Sequence, residues 1–390
     1  MTEQPIPLAR RVAEADETMI RTMYDLAEQQ SGDLVRLEIG EPDFDTPAHV
    51  IDAAARAARA GATHYTPNAG VPQLREAIAE KMERDHGLVT DPSEVVAAAG
   101  ATEALFLTLL TTADVGDEVV IPTPAWPQYR LQVQLVGATP VEVPLSAAEG
   151  FDLDADRVID AIGDETACVV LNSPSNPTSR VSDPEVVDGI VDAAAEHDAV
   201  VVLDEVYASL DYAGDGRSLA ADRAADNVVV INACSKQYAM TGWRLGWLVA
   251  PVHLAAAAIK LHPGTSSCPS SLSQHGAVAA LTGPQDDAEA MARAFRERRD
   301  YVLQRVEEIP ALSCPTPEGG FYAFLDVRAL DGTSFEVASR LLKSHGVVTV
   351  PGEGFGAGGE GFVRVSFASG MDELEAGFDR IARMVRDELA

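Results

Sequence analysis

Between residues 95 and 250 one pattern recurs: a short apolar run without polar alternation, then a stretch whose apolar positions follow a helical period. The runs cover residues 95–98, 118–121, 168–171, 200–203, 228–233 and 245–250. A strand with one wet face alternates apolar and polar residues, so runs without alternation belong to strands covered on both sides. Helical segments over 71–83, 102–112, 128–136 and 183–196 separate them. Buried strands alternating with helices give an α/β fold, a mostly parallel sheet flanked by helices.

In open sheets of this kind ligands bind beyond the carboxyl ends of the strands. The residues just past those ends are therefore the first candidates for chemistry. Run 95–98 leads into Gly100-Ala101-Thr102, where a helix starts at once and offers free amides to an anion. Run 168–171 leads to Asn172 and Asn176, and run 200–203 leads to Asp204 and Tyr207. Run 228–233 delivers Ser235 and Lys236, in a chain whose lysines stand only at positions 81, 236, 260 and 343. A lysine at the end of a buried strand is costly unless paired, neutral or covalently used. The same holds for the carboxylate of Asp204 until a cation faces it. Arg244, eight residues beyond the lysine, supplies a guanidinium fork for an anion.

Around this sheet the pattern changes. Residues 10–30 carry helix-period apolar positions at Val12, Met19, Ile20, Met23 and Leu26, and a short strand over 34–39 leads into the stiff loop Gly40-Glu41-Pro42-Asp43-Phe44. After Pro284 come a long helix over about 285–309, the stretch Gly319-Gly320-Phe321-Tyr322-Ala323-Phe324, a helix over 334–345, two short strands and a last helix. The expected organisation is a large α/β domain over 47–284 and a smaller α+β domain built from 1–46 and 285–390. Residues 354–359 match GxGxxG but run into a strand over 362–367 rather than a helix, so they read as a loop. Within that strand Arg364 stands alone among apolar neighbours, a fixed fork suited to a carboxylate.

The charge excludes several classes of partner. Sixty-one acidic residues against 29 basic ones give −32, which repels nucleic acid and anionic membranes. No apolar run is long enough to span a bilayer, and residues 1–10 lack a signal-like apolar core, which makes the cytoplasm the expected compartment. Cys168, Cys234, Cys268 and Cys314 have no CxxC spacing, and the histidines no HExxH pair, so no metal site is expected.

Residues 235–247, SKQYAMTGWRLGW, resemble the lysine segment of the class I/II aminotransferases, the fold-type-I enzymes that use pyridoxal 5′-phosphate. The resemblance extends over most of the chain. It implies that Lys236 forms a Schiff base with the cofactor and serves as general acid–base in two ping-pong half-reactions, from an L-amino acid (neutral, aromatic or aspartate) to a 2-oxo acid such as 2-oxoglutarate. It further implies that Gly100, Ala101, Thr102, Ser235 and Arg244 hold the phosphate. Asp204 would hold the ring nitrogen, Tyr207 and Asn176 its phenolic oxygen, and Trp126 would stack on the ring. Gly40, Trp126, Asn176 and Arg364 would surround the substrate. Tyr65 would reach the phosphate of a neighbouring subunit, in a homodimer with shared active sites. Two other readings use similar residues: a carbon–sulfur β-lyase on the same scaffold, and a regulatory protein that binds the cofactor, for which no basic DNA-binding domain is present.

Three positions depart from the family pattern. Ala233 stands where many relatives have serine, and Ser179 replaces the glycine of Asn-Pro-Thr-Gly. Thr102, followed by Glu103, stands where one aspartate-using branch has a lysine. The acidic, lysine-poor composition also resembles that of proteins from salt-loving organisms. Molar salt shortens the screening length to roughly 3 Å, so the melting temperature should rise between dilute and molar salt; a flat curve would count against it.

Overall fold

The computed structural model describes residues 8–13, 18–214, 216–222 and 225–389. Its strands, in chain order, are β1 (Val35–Arg36), β2 (Val95–Ala98), β3 (Glu118–Thr123), β4 (Thr139–Pro144), β5 (Thr166–Asn172) and β6 (Val200–Asp204). They continue as β7 (Val228–Ala233), β8 (Gly246–Val249), β9 (Tyr322–Asp326), β10 (Val347–Val348), β11 (Val350–Pro351) and β12 (Phe362–Ser366).

One sheet has the order β2-β8-β7-β6-β5-β3-β4. All its pairings are parallel except those of β8, which runs antiparallel to both β7 and β2. That orientation matters for the site. Because β8 is reversed, its first residue, Gly246, lies beside Ala98 and Ala233, the last residues of β2 and β7. Arg244, just before β8, is thereby brought to the edge where β2, β5, β6 and β7 end. Glycine at 246 is a packing requirement: a Cβ there would stand 2.6 Å from Ala101 N and 2.7 Å from Gly100 C.

The β-branched runs predicted to be covered on both faces are so. Val201, Val202, Val229 and Ile231 are buried among two apolar clusters, one on each side of the sheet. Helices Gln128–Val136 and Ser334–His345 match their expected bounds, the latter fixed by a Thr333/Glu336 capping box and by Gly346 in the left-handed region. The expected helix over 10–30 includes 14–17, which lie outside the described residues; helices Arg10–Ala13 and Met19–Glu28 stand on either side. The expected strand over 34–39 narrows to Val35–Arg36.

Most elements absent from the sequence reading have plain reasons. Strand β4 is an edge strand containing Pro140 and Pro144, residues tolerated at an edge and otherwise read as loop. Helices Val252–Leu261 and Ser271–Thr282 present mostly alanine and other small residues to the core, which leave little apolar periodicity, whereas Ala48–Arg59 is amphipathic, with Val50 and Ala54 buried, and was passed over despite that pattern.

A second, antiparallel sheet, β11-β12-β9, is formed after residue 320, while β1 pairs with β10 in parallel. Strand β12 carries Arg364 in register with Phe324 and Val350. Among the described residues no helix is long and apolar enough to cross a membrane.

Candidate active site

A cavity of about 280 Å³ opens at the common strand edge. Gly40, Ala101, Thr102, Trp126, Asn176 and Asp204 line it, as do Tyr207, Ser235, Lys236, Arg244 and Arg364. Residues from both ends of the chain thus meet over one space. Gly100 adjoins it as the residue before helix Ala101–Thr112.

Asp204 ends β6 with a side chain only 3% exposed. Its Oδ2 accepts a hydrogen bond from Tyr129 Oη at 2.7 Å, and its Oδ1 accepts a longer one from Val206 N at 3.3 Å. Burial raises its carboxyl to about 6, against the opposing effect of these two bonds and of Lys236. Lys236 lies on the short helix Cys234–Gln237 directly after β7. Its Nζ donates to Gly40 O at 2.6 Å and sits 5.7 Å from the centre of the Phe321 ring. Burial lowers the amine to about 8, opposed by Glu41 and Asp204 and reinforced by Arg364 and Arg244.

The anion-binding end is a tight turn. Gly100 has φ +87°, and a Cβ there would lie 2.7 Å from Arg244 Nη2. The arginine, itself in the left-handed region at φ 52°, donates Nη1 to Thr241 O at 2.9 Å. Amides at a helix start beside a guanidinium suit a phosphate. Ala233, at the foot of the helix Cys234–Gln237, brings no hydroxyl to this end.

Arg364 occupies the other end and is 1% exposed. It donates Nη1 to Asn176 Oδ1 at 3.0 Å and Nη2 to Glu38 O, and its guanidinium lies 4.4 Å from the Tyr322 ring centre. Its Nε has no partner. A buried donor without a partner is expensive unless a ligand supplies the acceptor, so this fork fits an α-carboxylate. The buried Asp204 carboxylate fits a cationic ring nitrogen in the same way. The residues present therefore fit pyridoxal phosphate at two separate points, its phosphate and its ring nitrogen, and an amino-acid carboxylate at a third.

Tyr65 stands apart. It is 92% exposed and lines a surface hollow with Thr63, His64 and Cys268, not the cavity of its own chain.

Several residues at the site escaped the sequence reading. Tyr129 packs edge-on against Trp126, with ring centres 5.4 Å apart, and so orients both the indole and Asp204. Tyr322 hydrogen-bonds Tyr207 Oη to Oη at 3.0 Å, underlies Arg364, and leaves no room for a Cβ at Gly40. Its sole signal was a hydroxyl inside an apolar strand. Ile20 comes from the N-terminal helix to wall the cavity. Ser179, already singled out in the sequence, adopts φ 57° and accepts a hydrogen bond from Tyr322 N at 3.3 Å, so its side chain ties two layers together.

The sequence profile of aminotransferase class I and II matches residues 32–381. Aspartate aminotransferase of Geobacillus stearothermophilus is 37% identical over 97% of this chain and 98% of its own length. Aromatic-amino-acid aminotransferase 2 of Thermococcus litoralis is 35% identical over 98% of this chain and 99% of its own. Among solved structures, an alanine aminotransferase from Pyrococcus furiosus superposes with TM-score 0.92 at 32% identity, covering 98% of this chain and 100% of that one.

The Asp204 shift has a testable sign. A carboxyl raised from 3.8 to about 6 binds its proton more tightly folded than unfolded. Its stabilising contribution is complete below the unfolded value and is lost as pH rises to the folded one, about 3 kcal/mol in all. In cofactor-free protein Asp204→Asn should therefore gain stability over wild type between about pH 4 and 6 and hold that gain above. Denaturant melts of both proteins across this range check it, and a difference independent of pH would refute it.

Proposed function

The chain belongs to the class I and II aminotransferases, pyridoxal-phosphate-dependent transaminases, and on that premise we propose that its amino donor is a neutral or aromatic L-amino acid. The observation that carries this reading is the set of cations on the cavity wall: Lys236, Arg244 and Arg364. The lysine is the reacting group, Arg244 sits at the phosphate turn and Arg364 takes the α-carboxylate, which leaves none for a second carboxylate. Thr102 lines the cavity instead of a lysine, and Trp126 and Ile20 add apolar wall. Trp126 also faces an adjoining cavity of about 420 Å³, bordered by Met19, Ile121, Leu131 and Phe355, which gives room for a large side chain; the one arginine on its wall, Arg130, is paired with Glu142 at 3.2 Å. Relatives with aspartate, aromatic-amino-acid and alanine in their names lie at similar distances from this chain, so its own walls must decide.

Pyridoxal phosphate, when bound, supplies an aldehyde carbon that takes the amino group and a cationic ring that draws electrons from the substrate Cα–H bond. In this reading Asp204, aligned by Tyr129, holds the ring nitrogen as its proton-bearing form, and Tyr207 and Asn176 serve the phenolic oxygen. Gly100, Ala101, Thr102, Ser235 and Arg244 hold the phosphate. Arg364 and Asn176 grip the α-carboxylate and so fix which Cα bond points at Lys236. With its amine lowered to about 8, Lys236 has a neutral fraction near physiological pH able to take the α-proton, and its charged form can return one. Trp126 and Tyr322 keep water from the reacting carbon. The amino acid leaves as an oxo acid before a second oxo acid enters, so one cavity serves both half-reactions. Residues 47–284 make the large domain of this reading, and 1–46 with 285–390 the small one. The working unit is a homodimer in which Tyr65, so exposed here, reaches the partner's phosphate turn.

Borohydride reduction of the holoenzyme should fix the cofactor on the peptide containing Lys236. Lys236→Ala should lose at least about a thousandfold in turnover while still binding the cofactor. Mixed with a Tyr65→Phe chain it should recover part of the lost activity, because one shared site then has both groups. Near-normal turnover by Lys236→Ala alone would sink the lysine's role, and no recovery on mixing would sink the shared site.

The donor assignment is read from kcat/KM in single half-reactions with aspartate, alanine and phenylalanine. Phenylalanine or alanine should exceed aspartate. An aspartate advantage of tenfold, about 1.4 kcal/mol at the transition state, would require a cation from elsewhere and overturn the assignment.

A further inference from the structure

Glu103 is an anomaly at an anion-binding turn. It lies in the first turn of helix Ala101–Thr112, three residues past Gly100, where a carboxylate should repel a phosphate. Yet five hydrogen-bonding groups converge on its two oxygens. Oε2 accepts from Ala99 N at 2.6 Å and Ser266 Oγ at 2.9 Å, with His262 Nε2 at 3.4 Å. Oε1 accepts from Thr265 Oγ1 at 2.7 Å and Ser266 N at 3.1 Å. Burial alone would raise this carboxyl; the hydrogen bonds from His262, Ala99, Ser266 and Thr265 outweigh it and bring it down to about 2.

The bond to Ala99 is the informative one. Ala99 immediately precedes the turn, and its carbonyl accepts from Arg244 Nη2 at 3.4 Å. Its peptide groups are therefore held from two directions, the amide by Glu103 and the carbonyl by the guanidinium that faces the phosphate. Rotation of this segment would re-aim the amides of Gly100, Ala101 and Thr102. On the far side His262, fully buried, has Nδ1 2.7 Å from Asn68 O, which ties it to the segment around residue 68. Gln274, also fully buried, joins the same two segments through Val71 N and Thr66 Oγ1. The anchor of the turn is thus a rigid one.

We propose that Glu103 is a positioning residue for the cofactor's phosphate, its carboxylate tying the Gly100–Thr102 turn to the 262–266 loop. The proposal rests on the reading that the phosphate lies at this turn. Two physical effects of removing the charge have opposite signs, which makes the test decisive. If Glu103 acts only as a nearby negative charge, Glu103→Gln relieves repulsion and tightens phosphate binding. If it positions the turn, the amide presents one acceptor to donors that need two, the turn loosens, and binding weakens.

The experiment measures release of pyridoxal phosphate from the full-length holoenzyme, and its rebinding, for wild type and Glu103→Gln, with pyridoxal as the probe lacking phosphate. The expected result is a tenfold or greater loss of affinity for pyridoxal phosphate, with pyridoxal changed less than twofold. The double variant Thr265→Ala/Ser266→Ala, which removes donors from exposed positions, should show a smaller loss of the same kind and serves if Glu103→Gln does not fold. Unchanged or tighter binding of pyridoxal phosphate would overturn the proposal, as would an equal loss for both probes, the mark of a general structural defect. A wild type that binds both probes equally would instead overturn the phosphate assignment on which it rests.

Discussion

A carboxylate held out of water at the end of a strand covered on both faces is the constraint on which the site depends. In β6 the residues before Asp204 are buried, and its neighbours across the ladder are Asn172 on β5 and Ile231 on β7. Asn172 Nδ2 and Ser173 N both donate to the Asp204 main-chain carbonyl, so the backbone is pinned while the side chain faces the cavity. One phenol and one long amide contact are too few for a buried charge, which ordinarily gathers several donors. The shortfall is what makes the position useful: a cation entering the cavity gains most of the stabilisation the protein withholds.

A second demand for a partner comes from the smaller sheet. Arg364 is set in β12 between Val363 and Val365, both buried, and its guanidinium is sandwiched near Tyr322 and Phe355. Glu38, fully buried, gives it a main-chain acceptor while spending its own carboxylate on Arg36 at 2.6 Å. The arrangement keeps the arginine from being neutralised by an internal carboxylate. Lateral placement then comes from Asn176, whose side chain accepts from Arg364 and whose amide donates to Asn172 Oδ1 at 2.8 Å. Anionic and cationic ends of the cavity are thus fixed to one another through two asparagines, across two sheets.

Much of this could be read from sequence, for a reason that also marks the limit. Val200–Asp204 and Val228–Ala233 are legible because strands covered on both faces admit few residue types, and a polar residue at their ends stands out. Glycines 100 and 246 are explained by close approach of backbone and Arg244, but that approach joins segments about 145 residues apart. Tyr129, Tyr322 and Glu103 were passed over because each owes its role to a partner distant in the chain: Asp204, Tyr207 and Ser266. Taken singly, a helical tyrosine, a strand tyrosine and a first-turn glutamate are ordinary. The small-residue helices Val252–Leu261 and Ser271–Thr282 and a proline-bearing edge strand were missed for the opposite reason, since they carry little pattern that would distinguish them.

The shifts at Lys236 and Asp204 share one cause and meet from opposite sides. Burial lowers the amine to about 8 and raises the carboxyl to about 6, each toward its neutral form. Their mutual attraction works against both shifts, and burial wins at each. A close salt bridge would have reversed that result by locking the lysine as a cation. Instead the lysine spends its hydrogen bond on a neutral carbonyl, that of Gly40, in a loop where only glycine leaves room for the Tyr322 hydroxyl. A carbonyl can hold an amine in place without fixing its proton. The aspartate lines the same cavity, and a full partner for its charge must come from outside the chain. On the proposed mechanism, the lack of a close pair between these two groups is what would let one buried lysine both give and take a proton.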